Sequence, residues 1–332
     1  MKYVNEKLEE FNKFIYDKNI AVISLEPSNL PLLDYLRDRR ANVTVFDKRT
    51  IDEIEKEVLD KITDRCVKFS FGKNCLINLV GYDIIFCSPK CRPDIPEIKA
   101  ESLRGAIITS VIEMEMALCP GKVIGVTGSK GTATTAGLIH WILKENGIDS
   151  YLEGQFGEPS FGKLPGMNEQ SILVQELNEF QLMNIQYSPE IAVITNILKD
   201  ESVTDNIQLI NNETYMSFEE KTKIYKNIFS RQTKKGIVIL NNDDMVSQDY
   251  LLDIFGQVKY FSLNEKLDNG VILDNGTIKY CEDGVRRHII TLDDAISVSG
   301  QYGLEGICAA VLTTIKMVDP KIQARAIIKY RE

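Results

Sequence analysis

The segment from Val123 to Glu145 constrains the fold more than any other part of the chain. It predicts a buried β-branched strand over 123–127, a loop of small residues over 128–135 and a helix over 137–145. This order places backbone N–H groups and a helix N-terminus around phosphate oxygens. The loop residues that we predict to contact a cofactor phosphate are Gly128, Ser129, Lys130, Gly131, Thr132, Thr134 and Thr135. The segment therefore predicts an α/β fold with a mostly parallel sheet.

Two side chains of a working phosphate loop are absent here. Such a loop carries a lysine directly after its second glycine, which contacts the β- and γ-phosphates, and then a hydroxyl residue that binds Mg²⁺. Those positions hold Thr132 and Ala133. Lys130 lies two residues too early, and we interpret it as a solvated side chain. The sequence thus keeps the backbone pattern of the loop and lacks its two chemical groups.

The first 120 residues predict a separate Rossmann-like domain. Helix and strand alternate over 3–17, 20–24, 30–39 and 43–46, in a β-α-β pattern. The turn after the first strand contains no glycine, so close backbone contact with a pyrophosphate is not expected there. Asp47 ends the second strand and Lys48 follows it. Both are candidate substrate-binding residues, and a solvated strand end is the alternative for Asp47.

Polar residues end the strands that follow the glycine loop. Ligands of open parallel sheets bind at the carboxyl ends of the strands, which makes these residues site candidates. They are Glu176, Asn196, Asn241 and Asp243.

A turn-forming cluster at 119–121 predicts a boundary between domains over 1–120 and 121–332. Turn signals over 260–298 predict hairpins, and a helix is predicted over 303–317.

Composition excludes several classes of function. The formal net charge is −9 and no long basic run is present, so we expect no nucleic-acid partner. No apolar stretch is long enough to cross a bilayer, which predicts a cytoplasmic protein without a membrane span. The seven cysteines are scattered and odd in number, so we expect reduced thiols. With only two histidines, a His-rich metal site or a Ser-His triad has few candidates.

Motifs in a fixed order run along nearly the whole chain. Val126-Thr-Gly-Ser-Lys-Gly131 occurs together with Glu176-Leu-Asn-Glu-Phe-Gln-Leu182. The further motifs lie at 43–49, 88–89, 154–159, 188–196, 218–221, 240–244 and 299–301. Together they resemble the Mur ligases, most closely the members that add D-glutamate to UDP-N-acetylmuramoyl-L-alanine.

The resemblance implies a domain plan and a set of ligands. Members have an N-terminal domain for the UDP part of the substrate, a central P-loop-type ATPase domain and a C-terminal domain for the incoming amino acid. The resemblance covers the first two and stops near Glu332, so we expect the third to be absent. The implied cofactors are ATP and Mg²⁺, and the implied substrate is a UDP-muramoyl precursor.

The resemblance also assigns roles to residues. Glu176 matches the glutamate that holds a metal ion between ATP and substrate, and Lys221 matches the lysine that is carbamylated to hold a second Mg²⁺. Glu201 stands at the position of a metal-binding histidine, and Gln155 at that of a substrate-loop asparagine. We expect an unmodified Lys221 that pairs with Glu176. In the last motif, the family's histidine and two asparagines are replaced by Tyr302, Gly303 and Gly306.

Three functions remain open. The favoured hypothesis is a catalytically impaired paralogue that binds a nucleotide-sugar or a partner protein, because the substitutions cluster at ligand positions. The second is an active ATP-dependent ligase, which the retained Glu176 and Lys221 favour. The third is a UDP-sugar-binding module that acts through Asp47 and Lys48 alone.

Overall fold

The computed structural model describes residues 4–26, 29–56, 58–59, 67–199, 216–292 and 301–330. Among these residues, the first part of the chain forms a five-stranded parallel sheet in the order β3-β2-β1-β4-β5. The strands are β1 Asn19–Ile23, β2 Asn42–Asp47, β3 Lys68–Phe71, β4 Ile84–Cys87 and β5 Ile107–Ser110. The helices are α1 Glu6–Ile15, α2 Leu30–Asp38, α3 Pro96–Leu103 and α4 Val111–Leu118.

Local signals fix the starts of these helices. Asn5 caps α1 by accepting a hydrogen bond from the Leu8 amide (3.2 Å), and Ser110 caps α4 through the Glu113 amide (3.2 Å). Pro96 begins α3, at a position where its missing N–H would have no helical partner. These signals thus set where α1, α3 and α4 begin.

The second sheet contains nine strands in the part of the chain that is described, in the order β14-β13-β12-β11-β10-β9-β6-β8-β7. The strands are β6 Lys122–Thr127, β7 Ser150–Glu153, β8 Ile172–Glu176, β9 Ile191–Ile194, β10 Ile237–Asn241, β11 Gln257–Ser262, β12 Gly270–Asp274, β13 Thr277–Glu282 and β14 Val285–Thr291. Pairing is parallel from β7 across to β12, and antiparallel for β13 and β14. The predicted α/β fold with a mostly parallel sheet is confirmed.

Helices cover this sheet as well. They are α5 Thr132–Glu145, α6 Glu179–Met183, α7 Phe218–Tyr225, α8 Met245–Gln248, α9 Gln301–Thr314 and α10 Pro320–Lys329. The buried side chains of α5 and α9 belong to one apolar core together with β6 and β8. None of the described helices is long and apolar enough to cross a bilayer.

Two-residue turns build the antiparallel edge. Asn275 and Gly276 join β12 to β13, and Asp283 and Gly284 join β13 to β14; all four have φ between 50° and 77°. Positive φ at both positions matches the twist of hairpin strands. The turn signal Asp274-Asn-Gly276 predicts a hairpin, which is confirmed, whereas no turn signal was assigned to the second turn. The other signal, Asp268-Asn-Gly270, also predicts a hairpin but instead leads into a strand that is parallel to β11, so that prediction is wrong.

An aromatic cluster joins the two sheets. Phe161 lies in a short 3₁₀ helix before β8 and is fully buried. Its ring packs edge-on against Tyr35 of α2, with centroids 5.1 Å apart, and lies 6.5 Å from the ring of Phe11 in α1. The Arg92 guanidinium also forms an ion pair with Glu220 of α7 at 2.9 Å. Apolar packing and one polar contact therefore connect the two halves.

Candidate functional site

The glycine loop lies between β6 and α5. Gly128 has a φ of 141° and Gly131 a φ of 73°, values that glycine adopts without strain. A Cβ on Gly128 would lie 2.2 Å from Thr195 Oγ1, so a larger residue does not fit there. Because α5 begins at Thr132 rather than at the predicted residue 137, the loop is shorter than expected and covers 128–131.

The glycine loop is hydrogen-bonded to residues 195–198, which follow β9. Asn196 Oδ1 accepts a hydrogen bond from the Lys130 amide (2.9 Å), and its Nδ2 donates to the Lys130 carbonyl (3.2 Å). Thr195 Oγ1 donates to the same carbonyl (2.8 Å). The Ser129 amide donates to the Asn196 carbonyl (3.0 Å), and the Ser129 hydroxyl accepts from the Leu198 amide (3.1 Å). Asn196, predicted from strand position alone, thus fixes the loop backbone.

Glu176, at the end of β8, is hydrogen-bonded through both carboxylate oxygens. Thr132 Oγ1 donates to Oε1 at 2.8 Å, and the Gln155 amide donates to Oε2 at 2.9 Å. Gly154 allows the backbone at 154–155 to lie close to Glu176, because a Cβ on Gly154 would lie 2.7 Å from Glu176 Cβ. The structure therefore brings three predicted site residues together, with Gln155 contributing its backbone.

Lys221 on α7 has a different partner from the one predicted. Its described ion pair joins Nζ to Glu179 Oε1 at 3.9 Å, and the Tyr225 hydroxyl donates to the same oxygen at 2.8 Å. Glu179 begins α6 and lies three residues beyond Glu176. The predicted Lys221–Glu176 pair is wrong, because the turn after β8 brings the Glu179 carboxylate to α7 instead.

Asn241 and Asp243 lie at the end of β10. Asn241 Oδ1 accepts from the Asp243 amide at 3.0 Å. Asp243 in turn accepts from the Leu263 amide at 2.7 Å and from the Ser262 hydroxyl. These contacts shape the turns after β10 and β11, and cofactor binding by the two residues stays a prediction.

The other predicted residues of this site lie on α5 or outside the described chain. Thr134 and Thr135 are in the first turn of α5, where the buried Thr135 hydroxyl donates to the Gly131 carbonyl at 2.7 Å. Glu201 lies outside the described residues, and so does most of the motif at 299–301.

The predicted substrate residues of the first sheet lie at the end of β2. Asp47 is 4% exposed and accepts from the Leu25 amide (2.8 Å), the Arg49 amide (2.9 Å) and the Arg49 guanidinium (2.7 Å). Burial raises the pKa of Asp47, but the hydrogen bonds from Arg49 and Leu25 outweigh it and hold the pKa below its usual value. Burial lowers the pKa of the adjacent Lys48. Asp47 thus ties the ends of β1 and β2 together.

Among the described residues, which do not include Glu201, the side chains around the glycine loop do not complete the magnesium site that the resemblance implies. Ala133 has no side-chain oxygen, and the Glu176 oxygens are engaged by Thr132 and Gln155. The described parts of the chain contain no group of three or more His, Cys, Asp or Glu that could hold a metal ion. The backbone does fit a phosphate, because the first amides of α5 have no carbonyl partner within the helix.

Glu305 is a residue of this site that the sequence analysis did not identify. It lies on α9, is 4% exposed and accepts a hydrogen bond from Asn196 Nδ2 at 2.6 Å. The available signal was one acidic residue within the apolar and small-residue run at 303–312. Strand position could not reveal it, because α9 reaches the loop from a distant part of the chain.

The chain is similar in sequence to known ligases. Residues 126–314 match the family described as Mur ligase middle domain. The UDP-N-acetylmuramoylalanine--D-glutamate ligase of Ruminiclostridium cellulolyticum is 34% identical over 322 residues, which cover 97% of this chain and 67% of that protein. The ligase of the same name from Clostridium acetobutylicum is 33% identical over 323 residues, with the same coverage.

Solved structures show the same fold. The UDP-N-acetylmuramate:L-alanyl-gamma-D-glutamyl-meso-diaminopimelate ligase from Neisseria meningitides aligns with a TM-score of 0.61 at 14% identity, covering 95% of this chain and 98% of that one. A murein peptide ligase from Psychrobacter arcticus aligns with a TM-score of 0.58 at 15% identity, covering 94% and 68%. At these identities the likeness concerns the fold alone.

Proposed function

The chain belongs to the Mur ligase family, and we propose that it is a member whose ATP-dependent ligation is impaired and whose scaffold binds a nucleotide-sugar or a partner protein. The ligases among its relatives support a role in peptidoglycan synthesis. The division into domains over 1–120 and 121–332 is part of the same proposal.

The hydrogen bond between Thr132 and Glu176 carries this proposal. The side chain at the lysine position has no positive charge and donates instead to the carboxylate that the resemblance assigns to a metal ion (2.8 Å). Losing one preorganised donor to a transition state typically costs about 3–4 kcal/mol, or ~10²–10³ in rate. The missing oxygen at Ala133 adds to that loss, although such losses do not sum simply. We therefore propose that Mg-ATP binds weakly and is not used productively.

A double substitution tests the role of the two missing groups. Thr132→Lys with Ala133→Thr restores a cation and a hydroxyl, and we expect the affinity for Mg-ATP to rise by at least about tenfold in calorimetry, equivalent to ~1.4 kcal/mol. Thr233→Lys adds the same charge at an exposed turn before β10, at the opposite end of the sheet, and serves as the control. An equal gain in both variants would show that net charge alone is responsible.

Turnover by the unmodified chain separates the proposal from the active-ligase hypothesis. The assay measures ADP release in the presence of UDP-N-acetylmuramoyl-L-alanine, D-glutamate and Mg²⁺. We expect no release that depends on both substrates. Release that requires both would overturn the proposal and assign ligase activity, with Glu176 and Lys221 as the residues to substitute next.

The identity of the ligand is tested by binding. If the ligand is a nucleotide-sugar, the UDP-muramoyl precursor should raise the melting temperature of the protein, and Lys48→Gln should make this increase smaller. A partner protein predicts no change with the precursor and specific capture from the native host. The UDP-sugar module is less favoured, because both Asp47 oxygens are engaged by Leu25 and Arg49.

A further inference from the structure

The tripeptide Asp-Asn-Gly occurs twice between β11 and β13, at 268–270 and at 274–276. Asparagine followed by glycine readily closes to a cyclic succinimide, because glycine places no side chain beside the attacking backbone nitrogen. The two copies consist of the same three residues but lie in different surroundings. They therefore show what the fold, rather than the local sequence, does to this reaction.

Asn275 lies at the exposed tip of the turn between β12 and β13, with a φ of 50°, and Gly276 follows with a φ of 70°. The last backbone pair of the two strands is Asp274 with Thr277, outside the turn residues. Among the residues that the structure describes, the Gly276 N–H, the Asn275 carbonyl and the Asn275 side-chain amide have no hydrogen-bond partner. The peptide unit that must rotate for the reaction is therefore unrestrained by hydrogen bonds.

Asn269 is held in place. Its Oδ1 accepts a hydrogen bond from the Asp283 amide at 3.0 Å, and Gly270 is buried at the start of β12. The third Asn-Gly pair of the chain lies just after α5, where the Gly147 amide donates to the Lys144 carbonyl at 2.9 Å. At both places a hydrogen bond must break before the asparagine side chain and the glycine nitrogen can react.

We propose that Asn275 is a site of spontaneous deamidation, a reaction that the fold permits there and suppresses at Asn269. The Gly276 backbone nitrogen loses its proton to solvent base and forms a bond to Asn275 Cγ. The bond from Cγ to Nδ2 then breaks, and the amide nitrogen takes a proton from water and leaves as ammonia. A second water opens the succinimide at either carbonyl and gives an aspartyl or an isoaspartyl residue. The reaction needs only this chain and water, so it is independent of any ligase activity.

Both products change the antiparallel edge of the sheet. The new carboxylate lies beside Asp274, whose carboxylate already pairs with Lys279 at 2.8 Å and with Arg286 at 3.4 Å. The isoaspartyl product also adds one carbon to a main chain that turns within two residues. Because the length of the turn fixes the pairing of Asp274 with Thr277, we expect the isoaspartyl form to weaken the β12–β13 hairpin.

Peptide mass spectrometry of the unmodified chain tests the proposal. Cleavage after Lys266 and Lys279 releases residues 267–279 as one peptide that contains both asparagines, and its fragment ions assign each deamidation. After incubation of the folded protein in mildly alkaline buffer, we expect Asn275 to deamidate at least about tenfold faster than Asn269, because opening a hydrogen-bonded segment costs free energy. In urea, where neither copy is held, the two rates should become similar.

Asn275→Asp is the matched variant, because aspartate also tolerates a positive φ and has no amide to lose. It should show no deamidation at 275 and an unchanged rate at Asn269. Equal rates at the two asparagines of the folded, unmodified chain, or a faster reaction at Asn269, would overturn the proposal. A rate difference that persists in urea would overturn it as well, since the local sequence would then be the cause.

Discussion

Replacing Glu153 by glutamine should remove a pH-dependent loss of stability. The half-buried Glu153 and the fully buried Glu115 form a carboxyl pair around Ser160, whose amide donates to Glu153 at 2.7 Å and whose hydroxyl donates to Glu115 at 2.8 Å. Burial raises the pKa of Glu153 from 4.5 to about 7, against smaller opposing effects of Ser160 and Lys163. Burial and the nearby Glu153 raise the pKa of Glu115 well above its usual value. The pair therefore retains protons at pH values where isolated carboxyls are ionised.

The size and sign of the effect follow from the pKa of Glu153. The raised pKa means that the folded state holds the proton more tightly than the unfolded state does. The stabilising contribution is complete below pH 4.5 and is lost as the pH rises to about 7. Each pH unit between the unfolded and folded pKa values corresponds to about 1.36 kcal/mol, so the loss amounts to about 3 kcal/mol. Glutamine carries no charge at any pH and avoids the loss.

Urea unfolding followed by the fluorescence of Trp141, the only tryptophan, measures the effect. The free energy of unfolding of Glu153→Gln minus that of the unmodified chain should increase by about 3 kcal/mol between about pH 4.5 and pH 8. Glu158→Gln removes an exposed carboxyl that pairs with Lys163 (2.8 Å) in the same loop and serves as the control. The reasoning is refuted if the Glu153→Gln difference is constant across this range or changes in the opposite direction.

Two further substitutions test the packing and electrostatics of the fold. Phe161→Ala should lower the free energy of unfolding by about 3–5 kcal/mol in urea titration, because it empties a fully buried position between Tyr35 and Phe11; a loss below ~1 kcal/mol would contradict the packing. Asp47→Asn should cost about 1.5–3 kcal/mol at neutral pH, since it weakens charge-assisted hydrogen bonds. Because the pKa of Asp47 is lowered in the folded state, the loss of unfolding free energy in Asp47→Asn should become smaller as the pH falls through that pKa. A loss that stays the same in acid would refute this prediction.

Sequence patterns determined the parallel strands and the position of the glycine loop. The β-branched run at 123–127 and the glycines at 128 and 131 specify a strand and a tight turn. Steric contacts between residues that are neighbours in the chain are almost sufficient to determine both elements. Polar residues at strand ends could likewise be assigned to one edge of the sheet, because parallel strands all end on the same side. Glu176 and Asn196 were found in this way.

Side-chain partners were decided by the tertiary structure. The pairing of Lys221 with Glu179 rather than Glu176 depends on how α6 turns after β8, which no local pattern specifies. Glu305 reaches Asn196 across a separation of 109 residues, and Glu115 meets Ser160 across 45. Hydrogen bonds are short-ranged and directional, so a change of a few ångströms in helix position selects a different partner. The sequence therefore determined which elements form and where the loop lies, and the packing of those elements decided which charges face it.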